Sequence, residues 1–206
     1  MFLNLVYLTP KAFYLFGSIM NHMVQNKTNL DFELLLQLAK GPSHLRELSR
    51  SLDIPHSTLM RRLDILINAN VLDFSLIGRN KSFSIKNNLK AKNFLIMAER
   101  YKLQKLLDKY PKLSVILDDL LSSTSASLVI LFGSYAKFSA KPSSDIDIYI
   151  QNICEEDKKK AERVYSSISV KTGPLDLESA LIKEIIKNHV ILRGEEEFYD
   201  KIRFFA

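Results

Sequence analysis

The sequence predicts an α/β (α+β) chain in two parts, and three observations predict it. Apolar residues recur at helical spacing between about Asn29 and Ser122, broken by one stretch with strand-like alternation. From Ser127 onward short apolar runs alternate with amphipathic segments, the pattern of strands between helices. The charge divides at the same place. Residues 1–125 carry 17 Lys+Arg against 10 Asp+Glu, a balance of +7, whereas residues 126–206 carry 12 against 13, a balance of −1.

The elements follow in order. Leu30, Leu34, Leu35, Leu38 and Ala39 mark a first helix that Gly41-Pro42 stops. Ser43 is placed to cap a short second helix with Leu45, Leu48 and Leu52 on its inner face. After the turn Asp53-Ile54-Pro55, a third helix opens at His56 or Ser57 and runs to about Ala69. Its buried stripe is Leu59, Leu63, Leu66 and Ile67. Val71–Phe74 and Ser82–Ile85 flank the polar turn Gly78-Arg79-Asn80-Lys81 as a β-hairpin. From Leu89 the pattern is helical and basic, Tyr110-Pro111 breaks it, and a further helix follows to Ser122. Ser127–Phe132 reads as a buried strand, Asp145–Ile150 as a second and Pro174–Leu177 as a third. Helices are expected over Glu155–Ser167 and Ile182–His189, with a last short strand at Val190–Arg193. The acidic run Glu195–Glu197 reads as a solvated turn.

The order helix, helix, turn, helix, hairpin over Asn29–Lys86 resembles the winged helix-turn-helix domains of archaeal and bacterial transcription regulators. The division that follows is residues 1–88, a winged helix-turn-helix with an N-terminal extension; 89–111, a helical linker; and 112–206, a second domain. The resemblance implies that the third helix enters the major groove of double-stranded DNA. Its outward positions would be Ser57, Thr58, Arg61 and Arg62, and the hairpin would bring Arg79 and Lys81 to the backbone or minor groove. Winged helices that bind proteins are the alternative. The linker helix suits a connector, a dimerisation helix in a homodimer, or part of the DNA-facing surface.

The second domain carries the clearest chemistry. A buried strand delivers Gly133-Ser134, and Asp145-Ile146-Asp147 follows after ten residues. Alternation along a strand puts Asp145 and Asp147 on one face and Ile146 and Ile148 on the other. Two adjacent carboxylates repel unless a cation neutralises them, and hard oxygen donors without His or Cys suit Mg²⁺ or Mn²⁺. Glycine lets the backbone approach a phosphate, and Ser134 offers an N–H and a hydroxyl to its oxygens.

Leu131-Phe132-Gly133-Ser134 with Ser144-Asp145-Ile146-Asp147-Ile148 resembles the signature of DNA polymerase β-type nucleotidyltransferases. The nearest in kind are minimal members with a kanamycin nucleotidyltransferase-like core, a small mixed sheet flanked by helices. The resemblance implies transfer of a nucleoside monophosphate from a nucleoside triphosphate, ATP above all, to a hydroxyl acceptor. Small molecules and toxin proteins are acceptors of such enzymes, and a fused winged helix suits an antitoxin-like, self-regulating protein. It also implies a two-metal site, in which Asp145 and Asp147 hold both ions and a third carboxylate from a later strand completes the metal cage. Asp176 in Leu175-Asp176-Leu177 is the candidate, with Glu178 in reserve, and it would help activate the attacking hydroxyl. Lys137 matches a basic position near the triphosphate, Lys141 less closely. The alternative is a DNA-binding regulator whose second domain senses nucleotide without turnover.

Other features exclude little. Phe16-Gly17-Ser18 also follows apolar residues, but no Asp-x-Asp follows at the right interval, so it reads as structural. The four histidines show no ligand spacing. The single cysteine, Cys154, excludes an internal disulfide, reads as a loop or strand-end residue, and fits a reducing cytoplasm. The apolar stretch Phe2–Met23 is interrupted by Asn4, Pro10, Lys11, Asn21 and His22, so it falls short of the ~20 residues that span a bilayer. It is expected to pack as a core strand or helix, and the protein is expected to be cytoplasmic with no membrane partner.

Overall fold

In the computed structural model, which describes residues 29–205, the helical first half ends in a small sheet and the second half is built on a larger one. The expectations for Phe2–Met23, for Phe16-Gly17-Ser18 and for His22 lie outside the described residues. The architecture is α+β, with several helices and two small sheets.

Residues 29–38 form α1, which buries Leu34, Leu35 and Leu38. Ser43–His44 is a two-residue strand, β1, followed by α2 (Leu45–Leu52) and α3 (His56–Asn68). The cap of α2 is therefore His44 rather than Ser43. Ser43 is drawn into pairing with Phe83, and the Glu47 carboxylate accepts from both the His44 N–H (3.0 Å) and the Ser43 hydroxyl (2.9 Å). The hairpin is β2 (Leu72–Ile77) and β3 (Asn80–Ile85), longer than its apolar pattern suggested, with Gly78 at φ 62° in a two-residue turn. The three strands lie in the order β1-β3-β2.

α4 (Leu89–Lys109) starts where the Asn88 side chain accepts from the Ala91 N–H at 2.9 Å. Pro111 separates it from α5 (Lys112–Ser123). The second half then runs β4 (Val129–Phe132), α6 (Gly133–Ala136), β5 (Ile146–Gln151), α7 (Glu155–Arg163), β6 (Ile168–Gly173), α8 (Ala180–Lys187), β7 (Val190–Arg193) and α9 (Glu195–Lys201). Its sheet order is β6-β5-β4-β7; β5 is parallel to β6 and antiparallel to β4, which is antiparallel to β7.

Three expectations need correction here. The third strand is Ile168–Gly173, not Pro174–Leu177. Ile168 and Val170 alternate with Ser169 and Lys171, and Pro174, which has no N–H to give a ladder, ends the pairing. The helix expected over Glu155–Ser167 consequently stops at Arg163. Glu195–Glu197 is the first turn of α9, where carboxylates favour the positive end of the helix dipole. No helix among the described residues is long and apolar enough to cross a membrane.

The larger sheet is covered on both faces. Val129, Leu131, Ile146, Ile148, Ile150, Ile168, Val170, Val190 and Leu192 pack with α5 and α7 in one apolar cluster. Leu128, Ile130, Phe132, Tyr149 and Ile191 face the other way, toward α8 and α9. That second face is continuous with the buried residues of the first half, through Leu95 and Ala98 of α4.

Candidate functional site

The candidate site forms where β4 ends beside the start of β5. Phe132 pairs with Asp147 across the two strands, and the chain then turns at Gly133, with φ 69°, directly into α6. This glycine has two reasons to be glycine. Its positive φ strains any L side chain, and a methyl at its α-carbon would overlap the Asp147 carboxylate. The Gly-Ser turn and the second aspartate are thus in van der Waals contact.

Asp145 is exposed just before β5, and Asp147 is half-buried within it. The Asp147 carboxyl is held above its ordinary pKa by burial first and by the neighbouring Asp145 charge second, while Lys171 opposes both. Such a pair gains from a cation. The turn leading into it is closed by the Ser144 hydroxyl, which accepts from the Lys141 N–H at 2.9 Å, and by the Ser144 N–H, which donates to the Lys141 carbonyl. On the other side, the Ser134 carbonyl accepts from the Ser139 N–H at 3.0 Å. Lys109, at the end of α4, donates to the Phe138 carbonyl at 2.6 Å and holds the loop after α6.

The remaining sequence-derived residues fall in different places. Ser134 lies on the first turn of α6 and is partly buried. Lys137 follows α6 and pairs with Glu184 of α8 at 2.6 Å, which lowers the Glu184 pKa. Asp176 is not on a strand beside Asp147. It is exposed in the turn after β6, where its Oδ1 accepts from the Glu178 N–H at 3.0 Å, and Glu178 itself pairs with Lys183 at 2.9 Å. Among the described residues no group of three or more His, Cys, Asp or Glu is placed to hold a metal. Asp145 and Asp147 are the hard oxygen donors that could hold a divalent cation here, and Asp176 does not join them on a strand.

Sequence reasoning missed Lys171. β5 and β6 run in register with Asp147 opposite Ser169 and Tyr149 opposite Lys171. Paired residues of neighbouring strands share a face, as do residues two apart on one strand, so Lys171 lies on the Asp147 face. The alternation Ile168-Ser169-Val170-Lys171 carries the signal, and the more apolar Pro174–Leu177 that follows masks it.

In the first half, Ser57 and Arg61 of α3 are exposed, Thr58 is partly buried, and Arg79 and Lys81 are exposed on the hairpin. A cleft of about 410 Å³ separates the starts of α2 and α3 from the hairpin, and His44, Arg46, His56, Arg79 and Lys81 line it. Arg62 does not join this surface. Three residues after Leu59 and one before Leu63, it borders the buried stripe, and it turns back to pair with Asp31 of α1, its Nε 2.8 Å from Oδ1. Both side chains are largely buried, at 14% and 13% exposure.

No protein-family model matches the chain, and no curated protein matches it. Among solved structures, a crystal structure of the adhesin competence repressor AdcR from Streptococcus pyogenes is similar over 51% of this chain and 81% of its own, at 15% identity and a TM-score of 0.38. Human N-acetylserotonin methyltransferase in complex with SAM is similar over 81% of this chain and 67% of its own, at 14% identity and a TM-score of 0.28. Likenesses this distant assign neither a family nor a function.

Proposed function

We propose that the chain is a nucleotidyltransferase-type protein with a DNA-binding winged helix at its N-terminal side. The contact between Gly133 and Asp147 carries this reading, because it brings a turn suited to phosphate against a carboxylate pair suited to Mg²⁺. In the proposed reaction an acceptor hydroxyl oxygen bonds to the α-phosphorus of ATP and the α–β bridging bond breaks. Pyrophosphate leaves, and the hydroxyl proton passes to a base. Asp145 and Asp147 would hold Mg²⁺, the ion that offsets charge on the triphosphate. Gly133 and Ser134 would seat the phosphates, with Lys137 at the edge. A protein acceptor of the toxin type suits the pairing with a winged helix.

A second reading, nucleotide sensing without turnover, is favoured by the exposed position of Asp176 and by the lysine beside Asp147. One experiment separates the two: incubation with α-labelled ATP, Mg²⁺ and candidate acceptors, beside an Asp145→Ala/Asp147→Ala variant. Transfer that disappears in the variant is expected. Transfer that survives it rejects the site, and nucleotide binding without transfer selects the sensor. DNA is supported by Arg46, Arg79 and Lys81 on the cleft between α2, α3 and the hairpin, where they outnumber its one carboxylate, Glu47.

A further inference from the structure

We propose that Lys171 is a triphosphate-binding residue, a fixed positive charge beside Asp147 that limits the site to one divalent cation per nucleotide. The inference rests on the nucleotide-binding reading above and deepens it. Two carboxylates, Asp145 and Asp147, stand at the start of β5. The strand next to them, β6, offers Ser169 opposite Asp147 and Lys171 one step further on the same face, with no carboxylate in that stretch. Lys171 is exposed at the surface of β6, so its side chain is accessible to a ligand. In the parallel register Lys171 stands diagonally across from Asp147, one step along the same face from Ser169, within reach of a long side chain.

The charge arithmetic favours this role. A second divalent cation at the site would have two carboxylates to share with the first and an ammonium group as its neighbour. It would gain no further acidic ligand from β6 and would meet like charge there. A triphosphate carried in with one cation meets the opposite situation. Its oxygens would find the cation on the aspartates, the N–H groups of the Gly133-Ser134 turn, and the Lys171 ammonium, which does for phosphate charge what a second ion would otherwise do.

The test counts metal ions and measures binding separately from turnover. The full chain is titrated with Mn²⁺ in the presence of α,β-methylene-ATP, with bound Mn²⁺ read by electron paramagnetic resonance and nucleotide affinity by calorimetry. One Mn²⁺ per chain is expected for the wild type. Lys171→Ala is expected to weaken the analogue by about tenfold or more, the loss of one charge-assisted contact, while AMP affinity stays unchanged. Lys171→Arg should keep most of the affinity, and Lys171→Asp should admit a second Mn²⁺. Matching melting temperatures show that each variant is folded. Two Mn²⁺ on the wild type, or an unchanged affinity in Lys171→Ala, overturns the role of Lys171 and leaves the nucleotide site standing. Absence of nucleotide binding by the wild type overturns both.

Discussion

At the residue scale, Gly133 joins backbone conformation to chemistry. A turn at φ 69° ends β4 and starts α6 in one step, and this brings the peptide against Asp147. Gly133→Ala would place a methyl in the carboxylate and hold an L-residue at positive φ, a strain on the order of 1–3 kcal/mol. We expect a lower melting temperature and, at the proposed nucleotide site, loss of the stabilisation that Mg²⁺-ATP would give the wild type, read in the same thermal scans. Retention of the full ligand-induced shift in Gly133→Ala would remove the glycine from the site. Gly194 shows the same economy without the chemistry: at φ 92° it packs on the Ser127 carbonyl, which lets β7 turn into α9.

At the element scale, what was legible depended on whether an element's own pattern or its neighbours set its limits. α3 and α4 carry long periodic runs with breaking or capping residues at their ends, and β4 is an unbroken apolar run that stops at Gly133, so the chain announces all three. The approach of the turn at Gly133 to Asp147 was legible too, since two adjacent buried strands, with a ten-residue interval between Ser134 and Asp145, fix it locally. β6 was not, because Ser169, Lys171 and Thr172 give it a polar character and its partner β5 decides where it starts. The Leu175-Asp176-Leu177 run that follows has the stronger strand pattern, although it lies in the turn after β6. Arg62 was misread for a related reason: helical spacing leaves it at the rim of the apolar stripe, and only the position of Asp31 on α1 decides which way it turns. The two arginines of α3 should therefore behave differently. Arg61→Ala is expected to weaken DNA binding and flatten its salt dependence with no change in melting temperature. Arg62→Ala leaves Asp31 largely buried without that partner and should cost about 1–3 kcal/mol of stability. Equal effects of both on DNA affinity, with stability unchanged, would contradict this division.

At the scale of the whole molecule, α4 connects the two halves by burial rather than by tethering. Ala91, Leu95 and Ala98 belong to the cluster that includes Ile191, Phe198 and Tyr199, and Leu106 belongs to the cluster on the opposite sheet face. Within the first of these regions lies a charged group, Glu99, at 1% exposure. Its Oε1 accepts from the Tyr199 hydroxyl at 2.6 Å and stands 3.5 Å from His189 Nε2, while Oε2 is 3.7 Å from Lys102 Nζ. Next to it, Arg100 reaches Glu195 at the start of α9, with Nε 2.7 Å from the carboxylate. Burial pushes the Glu99 pKa up, but Lys102, His189 and the Tyr199 hydroxyl outweigh burial together and hold it at about 2. A carboxyl whose pKa is depressed on folding adds stability that is present above its unfolded value, near 4.5, and lost as pH falls toward 2. Glu99→Gln removes that contribution and leaves the Lys102 charge, mostly shielded from water, without its carboxylate. The expected cost at pH 7 is about 3–5 kcal/mol, that of removing one partner from a buried charge pair. Because the group joins α4 to α9 and to the start of β7, both halves should lose stability together. Urea unfolding followed by tyrosine fluorescence and by far-ultraviolet circular dichroism would show one coincident transition at a lower midpoint. Repeating the comparison between pH 7 and pH 3 should shrink the gap between variant and wild type. A gap that stays constant with pH would mean that packing, not charge, holds α4 against the C-terminal half.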